Sequence, residues 1–306
     1  METERSDSAN PQVGEPSRSD VFEVHRGRLF GLAYRMLGSR VDAEDVVQDT
    51  FIRWHQNDQA TVRSPEAWLV TTATRLAIDR LRALKTEREA YKGPWLPEPI
   101  MTEDVPPPDR QLELASDLSV AFLVLLERLA PEERAAFLLH DVFDCGYGQI
   151  ARTLGKSEAA CRQMVSRARE RVRQDRKRFD VPVATRVNLL RRFTAAFEAG
   201  DEATLLAIFS PDATWTADGG GRTPAAARPL VGADRIVTLL RGLHKQLQRQ
   251  QVTFHLATVG GEAGLCIRVD GRLTSLLTID TDGERIAAVY AVLNPDKLGG
   301  TSGAAS

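Results

Sequence analysis

Arg162, Ser166, Arg169 and Arg173 are spaced four, three and four residues apart, so a helix carrying them presents them on one face. Arginine neutralises phosphate, and Arg162 and Gln163 are of types that can reach base edges. From Gly146 to Arg178 the chain holds ten basic residues (Arg152, Lys156, Arg162, Arg167, Arg169, Arg171, Arg173, Arg176, Lys177, Arg178) against Glu158, Glu170 and Asp175. That excess of seven sits in a chain whose formal net charge is −2. Binding to nucleic acid needs such a local asymmetry. The competing reading is a solvated helix laced with ion pairs, but three acids within the segment cannot pair ten bases.

Other chemistries find less support. The three cysteines, Cys145, Cys161 and Cys266, lack CxxC spacing, and the five histidines form no HExxH or ligand pair. No metal site and no cofactor are expected. The N-terminus has no apolar signal core and no run is long enough to span a membrane, so a reducing cytoplasm is the expected setting. Asp218, His255 and Tyr290 are the candidates for acid–base work in an apolar pocket. Each has a plainer reading: a Gly-rich turn, a cross-strand polar group and core packing. No catalytic residue is assigned, and the chain is not expected to be an enzyme.

The arginine face needs a rigid carrier. Ile150, Ala151 and Leu154 give a short amphipathic helix that Gly155 ends, and Ser157 is placed to cap the next. There Cys161, Met164, Val165, Ala168 and Val172 recur at helical spacing and form the buried side. Two helices joined by a Gly-containing turn form a helix-turn-helix, here about Tyr147 to Ser166 and beyond. Leu125, Leu129, Phe137, Leu138 and Val142 supply the core beneath it, on helices broken near Leu129-Ala130 and restarted at Pro131.

Residues 1–20 are polar and read as a tail. From Val21 to Lys85 the pattern is helical. Phe22, Leu29, Leu32, Ala33, Met36 and Leu37 form one stripe, with Gly38 as its stop and Asp42 as the expected cap of the following helix. That helix turns Val46, Val47, Thr50, Phe51 and Trp54 inward, and Ser64-Pro65-Glu66 opens a third helix. Residues 88–116 carry Pro94, Pro97, Pro99 and Pro106-Pro107-Pro108, which exclude regular helix and predict an extended linker. Trp95-Leu96-Pro97 within it predicts docking, since an exposed tryptophan gains by burial. Beyond Pro182, helices over Arg186–Ala199, Asp201–Phe209 and Gly232 to about Gln248 precede alternating strands. Val252, Phe254 and Leu256 share one strand face, as do Leu265, Ile267 and Val269. Gly260-Gly261, Asp270-Gly271 and Asp282-Gly283 mark hairpin turns. An α+β domain with helices against a curled antiparallel sheet follows.

DAEDVVQDTF followed by SPEAWLVTTATRLAIDRLR resembles domain two of bacterial extracytoplasmic-function (ECF) sigma factors, and the helix-turn-helix resembles their domain four. The resemblance implies that Asp45, Val46, Val47 and Gln48 dock on the clamp helices of RNA polymerase, whose core (β and β′ subunits) is the expected partner. It implies that Asn57, Asp58, Gln59, Thr61, Arg63, Trp68, Arg75, Arg80 and Arg82, with Trp54 nearby, surround the melted −10 element of promoter DNA. Polar loop groups there could read an unstacked base and aromatics could stack on it. Ser157, Arg162, Gln163, Ser166, Arg167, Arg169 and Arg173 would serve the −35 element. Ala160, Gln163 and Met164 depart from the commoner family residues, which leaves the promoter sequence open.

The C-terminal pattern is similar to the SnoaL-like cyclase and isomerase superfamily, a cone around a pocket. Asp218-Gly219-Gly220-Gly221-Arg222 and Asn294-Pro295-Asp296-Lys297-Leu298, with Trp95-Leu96-Pro97-Glu98-Pro99, resemble the sigma-factor subgroup with a fused domain of this kind. The expected fold is therefore multidomain: two all-α sigma domains (21–87 and 117–179) joined by the linker, an α+β cone (182–298) and a tail (299–306). The expected function is promoter-specific initiation, modulated by the chain's own third domain, with no separate anti-sigma factor required. The pocket is left open to an unknown small ligand. A polymerase-independent DNA-binding regulator and an enzyme fused to a DNA-binding module are the alternatives.

Overall fold

The computed structural model describes residues 17–58, 62–102, 118–176 and 181–299. The first unit is three helices, α1 (Arg18–Leu37), α2 (Arg40–Gln56) and α3 (Pro65–Glu89). Ser17, Ser39 and Ser64 cap them, each side chain accepting the amide three residues on. Two expectations shift here. Residues 17–20, assigned to a tail, begin α1, because Ser17 and Asp20 satisfy each other's amides in a capping box. The cap of α2 is Ser39, while Asp42 sits buried in its first turn and accepts Arg80 Nε at 2.7 Å.

The second unit is α4 (Val120–Leu126), α5 (Pro131–Asp141), α6 (Tyr147–Leu154) and α7 (Glu158–Arg176). Gly155 ends α6 at φ +64°, and Ser157 Oγ accepts the Ala160 amide at 3.2 Å, so the turn between α6 and α7 is set by these two residues. The two helical units do not have separate cores. Leu32, Leu69 and Ala77 of the first and Leu126, Leu138 and Val165 of the second belong to one continuous apolar cluster.

The third unit contains α8 (Val183–Ala199), α9 (Glu202–Ile208), α10 (Ala233–Leu247) and α11 (Pro295–Leu298). Its strands are β2 (Phe209–Asp218), β3 (Leu230–Val231), β4 (Val252–Val259), β5 (Glu262–Val269), β6 (Arg272–Thr281) and β7 (Ile286–Val292). The linker adds β1 (Met101–Thr102), giving the sheet order β1-β4-β5-β6-β7-β2-β3. The three expected hairpins are present, but the sheet is mixed, not wholly antiparallel: β2 runs parallel to β7. The helical crossover through α10 carries the chain from β3 back to the far edge, which a parallel neighbour requires. One face packs on α8, α9 and α10 around Leu190, Phe193, Trp215, Ile236 and Leu265. The other face buries linker residue Leu96 and Val120 of α4 against Val259, Leu276 and Val292.

Candidate nucleic-acid interface

Helix α7 buries Cys161, Met164, Val165, Ala168 and Val172 and exposes Arg162, Gln163, Ser166, Arg167, Arg169 and Arg173. Ser157, exposed, serves as its cap. The charge count along the segment missed acids from elsewhere. Asp141 of α5 holds Arg169 through two nitrogens, Nε at 2.9 Å and one terminal nitrogen at 2.5 Å. This fork raises the pKa of Arg169. Glu133 takes Arg167 at 3.3 Å and Arg171 at 2.8 Å. Arg162 pairs with Glu158 at 3.0 Å and lies 5.0 Å from the Tyr147 ring. The arginines nearest α5 are thus tied back to their own unit.

On α2, Asp45 and Gln48 are exposed while Val46 and Val47 are in the core. The two valines fix the helix and leave the polar pair at the surface. Trp54 is also core, only 1% exposed, with Nε1 donating to the Arg18 carbonyl at 2.9 Å. Half-buried Trp68 lies 5.5 Å from it, ring to ring. Asn57, Asp58 and Arg63 border this aromatic pair in sequence; Gln59 and Thr61 lie outside the described residues.

Arg75, Arg80 and Arg82 of α3, expected at the −10 element, have intramolecular partners. Arg75 donates from Nε to the Thr153 carbonyl (2.9 Å) and from a terminal nitrogen to the Arg152 carbonyl (3.0 Å). These are carbonyls at the C-terminus of α6, where helix bonding runs out. Arg82 reaches Glu132 of α5 at 2.6 Å. Arg80 joins Asp42 and Glu87 within its own unit.

The interdomain residues converge most closely. Asp218, fully buried, accepts from Tyr91 Oη (2.6 Å), the Leu96 amide (2.8 Å), Lys297 Nζ (2.7 Å) and the Gly220 amide (3.1 Å). Lys297 Nζ also donates to the Leu96 carbonyl, so one acid and one base grip both sides of a single linker residue. Burial lowers the pKa of Lys297 despite Asp218, and burial together with the Asp218 bond raises that of Tyr91. Asn294 caps α11 through the Asp296 amide and donates to Tyr91 Oη at 3.0 Å, with Pro295 in the first turn. Asp296 pairs with Arg222 at the surface. Gly219 and Gly220 are required by close approach: a Cβ on Gly219 would lie 2.1 Å from the Thr223 carbonyl oxygen, and on Gly220 2.3 Å from Asn294 Nδ2. Gly221, at φ +70°, has the Lys92 side chain against it.

Trp95 lies between Arg88, whose guanidinium carbon is 3.6 Å from the ring centroid, and Lys297 Nζ at 4.2 Å. Its far edge rests on Gly38, where a Cβ would come within 2.8 Å of the ring. Pro97 is buried beside it. Glu98 ties the linker to α1 and α2: its amide donates to the Gly38 carbonyl (2.8 Å), its carbonyl accepts Tyr34 Oη (2.5 Å), and its carboxylate accepts the Arg40 amide (2.8 Å). Glu127 of the second unit bridges Arg88 and Arg134, which donate to the Leu37 and Met36 carbonyls at the end of α1. Sequence reading found Trp95, Asp218 and the Asn294 loop. It did not assign Tyr91, Glu98, Arg88 or Gly38 to this contact, and the partners of Tyr91 lie 127 and 203 residues away.

The three acid–base candidates do not form a site. Register places Asp218, His255 and Tyr290 on the linker-facing side of the sheet, away from the helix-covered face. His255 on β4 is four strands from Asp218 on β2, roughly 19 Å at ~4.8 Å per strand. It is also exposed, while Asp218 already accepts four donors. Between helices and sheet, Phe193, Phe197, Phe209, Trp215 and Phe254 pack ring against ring. Among the described residues no group of His, Cys, Asp and Glu could hold a metal, and no helix is long and apolar enough to cross a membrane.

Comparison with known proteins gives the same division. Residues 21–87 match the family model for Sigma-70 region 2, residues 119–172 that for Sigma-70, region 4, and residues 190–293 that for a SnoaL-like domain. The chain is 38% identical to the ECF RNA polymerase sigma factor SigJ of Mycobacterium tuberculosis, covering 92% of this chain and 93% of that one. It is 30% identical to the probable ECF RNA polymerase sigma factor SigI of the same species, covering 92% and 94%. The crystal structure of the M. tuberculosis extracytoplasmic function sigma factor SigJ matches at a TM-score of 0.72 and 35% identity, covering 92% of this chain and 98% of that one. With both sigma regions in order and likeness running nearly end to end, the chain belongs to the extracytoplasmic-function family of RNA polymerase sigma factors.

Proposed function

We propose that this chain binds core RNA polymerase and directs it to promoters, and that its own SnoaL-like unit governs when it does so. The observation that carries the regulatory half is the grip of Asp218 and Lys297 on Leu96. Through it the third unit holds the segment that connects the two DNA-reading units. Residues 21–87 act as domain two, 88–116 as the linker, 117–179 as domain four and 182–298 as the regulatory domain. Exposed Asp45 and Gln48 contact the polymerase clamp. Arg162, Gln163, Ser166 and Arg173 supply the −35 contacts, joined by Arg167 and Arg169 when DNA phosphate competes for them. The third unit takes the part that an anti-sigma protein plays elsewhere, and works as a binding domain, not as an enzyme. Asp218 surrounded by four donors supports this, since a general base must keep a lone pair for its substrate.

Reconstituted transcription with full-length protein and with protein cut after about Arg178 tests the reading. Polymerase binding should persist and promoter output should change. Equal output from both removes the regulatory claim, and failure of the full chain to comigrate with core polymerase removes the sigma-factor claim.

A further inference from the structure

A cleft of about 360 Å³ lies between the linker and the glycine loop of the third unit, a volume in the range of small-molecule sites. Lys92 and Gly93 of the linker form one wall, and Gly219 with residues 221–227 forms the other. Among the described residues no acid lines it. Lys92 has no ion-pair partner among them. Arg222 pairs with Asp296 at 3.3 Å, but the two side chains are 65% and 60% exposed, and a pair so open to water is readily displaced.

The walls are already built. The Gly219 carbonyl accepts the Arg222 and Thr223 amides at 2.9 and 3.0 Å, and Thr223 Oγ1 donates to the Leu293 carbonyl at 3.1 Å. The stem of Lys92 crosses the loop at Gly221, where a Cβ would lie 2.9 Å from Lys92 Cδ. Glycine there lets a linker cation lie over the mouth of the cleft. The amides of Gly221, Ala225, Ala226 and Ala227, all on the lining, donate to no protein acceptor among the described residues.

We propose that this cleft binds a small phosphate-bearing metabolite, held by Lys92 from the linker and Arg222 from the glycine loop. A carboxylate offers two oxygens and one charge. A phosphate monoester offers three oxygens and nearly two charges at neutral pH, which suits two cations on different walls and a set of free amides. The short side chains of Pro224, Ala225 and Ala227 leave room for an organic body beside the phosphate. The ligand would span the linker and the third unit four residues before Leu96, and so add to the Asp218 grip. That coupling rests on the regulatory reading above; the site itself does not.

Calorimetric titration of the full chain with glycerol 3-phosphate at constant ionic strength tests the site, with inorganic phosphate and acetate for comparison. Both phosphates should bind, and acetate much more weakly. K92Q and R222Q should each weaken glycerol 3-phosphate binding roughly tenfold, the factor carried by one charge-assisted hydrogen bond. K245Q, on the exposed face of α10, should bind as wild type does. The substituted side chains are exposed, and thermal midpoints measured without ligand should match wild type. Glycerol 3-phosphate should then raise the midpoint of wild type and of K245Q more than that of K92Q or R222Q. Absence of binding by either phosphate, or equal binding by wild type, K92Q and R222Q, overturns the proposal. Acetate bound as tightly as phosphate overturns the ligand class. Binding that leaves promoter output in reconstituted transcription unchanged would instead remove the coupling to the grip and leave the site in place.

Discussion

Lys297 Nζ sits 2.7 Å from Asp218 Oδ2, and the two side chains are 13% and 0% exposed. The pair is more than a link between charges, because both members also bond the backbone of Leu96. Removing either leaves a buried charge and an unpaired peptide group together. D218N and K297M should each destabilise the full chain by about 3–5 kcal/mol, and the double variant by less than their sum. Urea unfolding of the four proteins reads the cycle; strict additivity would mean that the pair is not coupled.

Gly220 offers a purely steric test. It sits at φ +60° with Asn294 where a Cβ would go. G220A should lose about 1–2 kcal/mol from backbone strain alone, and should also push Asn294 off Tyr91. Limited proteolysis of the linker should be faster in G220A than in wild type. G271A, at a turn with nothing against it, should leave the linker as protected as before.

Glu98 makes the linker sensitive to pH. Burial raises its pKa above the ordinary 4.5, against the pull of the Arg40 amide. The folded chain then keeps a proton that the unfolded chain has already released. Stability from this group is greatest below pH 4.5 and is lost as pH rises through the raised value. Relative to E98Q, wild type should therefore weaken as pH rises through that window. Chemical unfolding of both proteins from about pH 4.5 to 7 checks the sign, and a difference that grows the other way would refute it.

The arginines of α7 should separate into two classes. Arg162 is exposed and pairs with Glu158 of its own helix, so R162A should lower the slope of log affinity against log salt by about 0.9 if it meets a phosphate. If it reads a base, the slope should hold and specificity should relax by ~1–3 kcal/mol. E133Q frees Arg167 and Arg171 and should strengthen binding to every sequence alike. Mobility shifts over a salt series distinguish the cases; a weaker E133Q complex would contradict the assignment.

Much of this was legible locally. Helix stops at Gly38 and Gly155, the cap at Ser157, the buried face of α7 and three hairpin turns follow from spacing and φ preference, which act over a few residues. Asp42 shows the limit: its type suits a cap, but Ser39 precedes it and Arg80 on another helix claims its carboxylate. β2 escaped notice because Phe209–Asp218 mixes proline and aspartates with its apolar residues, and its neighbours β7 and β3, distant in sequence or very short, make it a strand.

Amino-acid order by itself determined the kinds of parts: two helical DNA-reading units, a proline-rich tether and an α+β unit, because periodicity and turn chemistry are properties of neighbouring residues. Tertiary structure alone decided which charges are free and which surfaces are covered. Asp218 could have been a base in a pocket, Arg75 a free DNA contact and Glu133 an idle surface acid. Each instead meets a partner distant in sequence, because the fold brings an opposite charge or donor within about 3 Å.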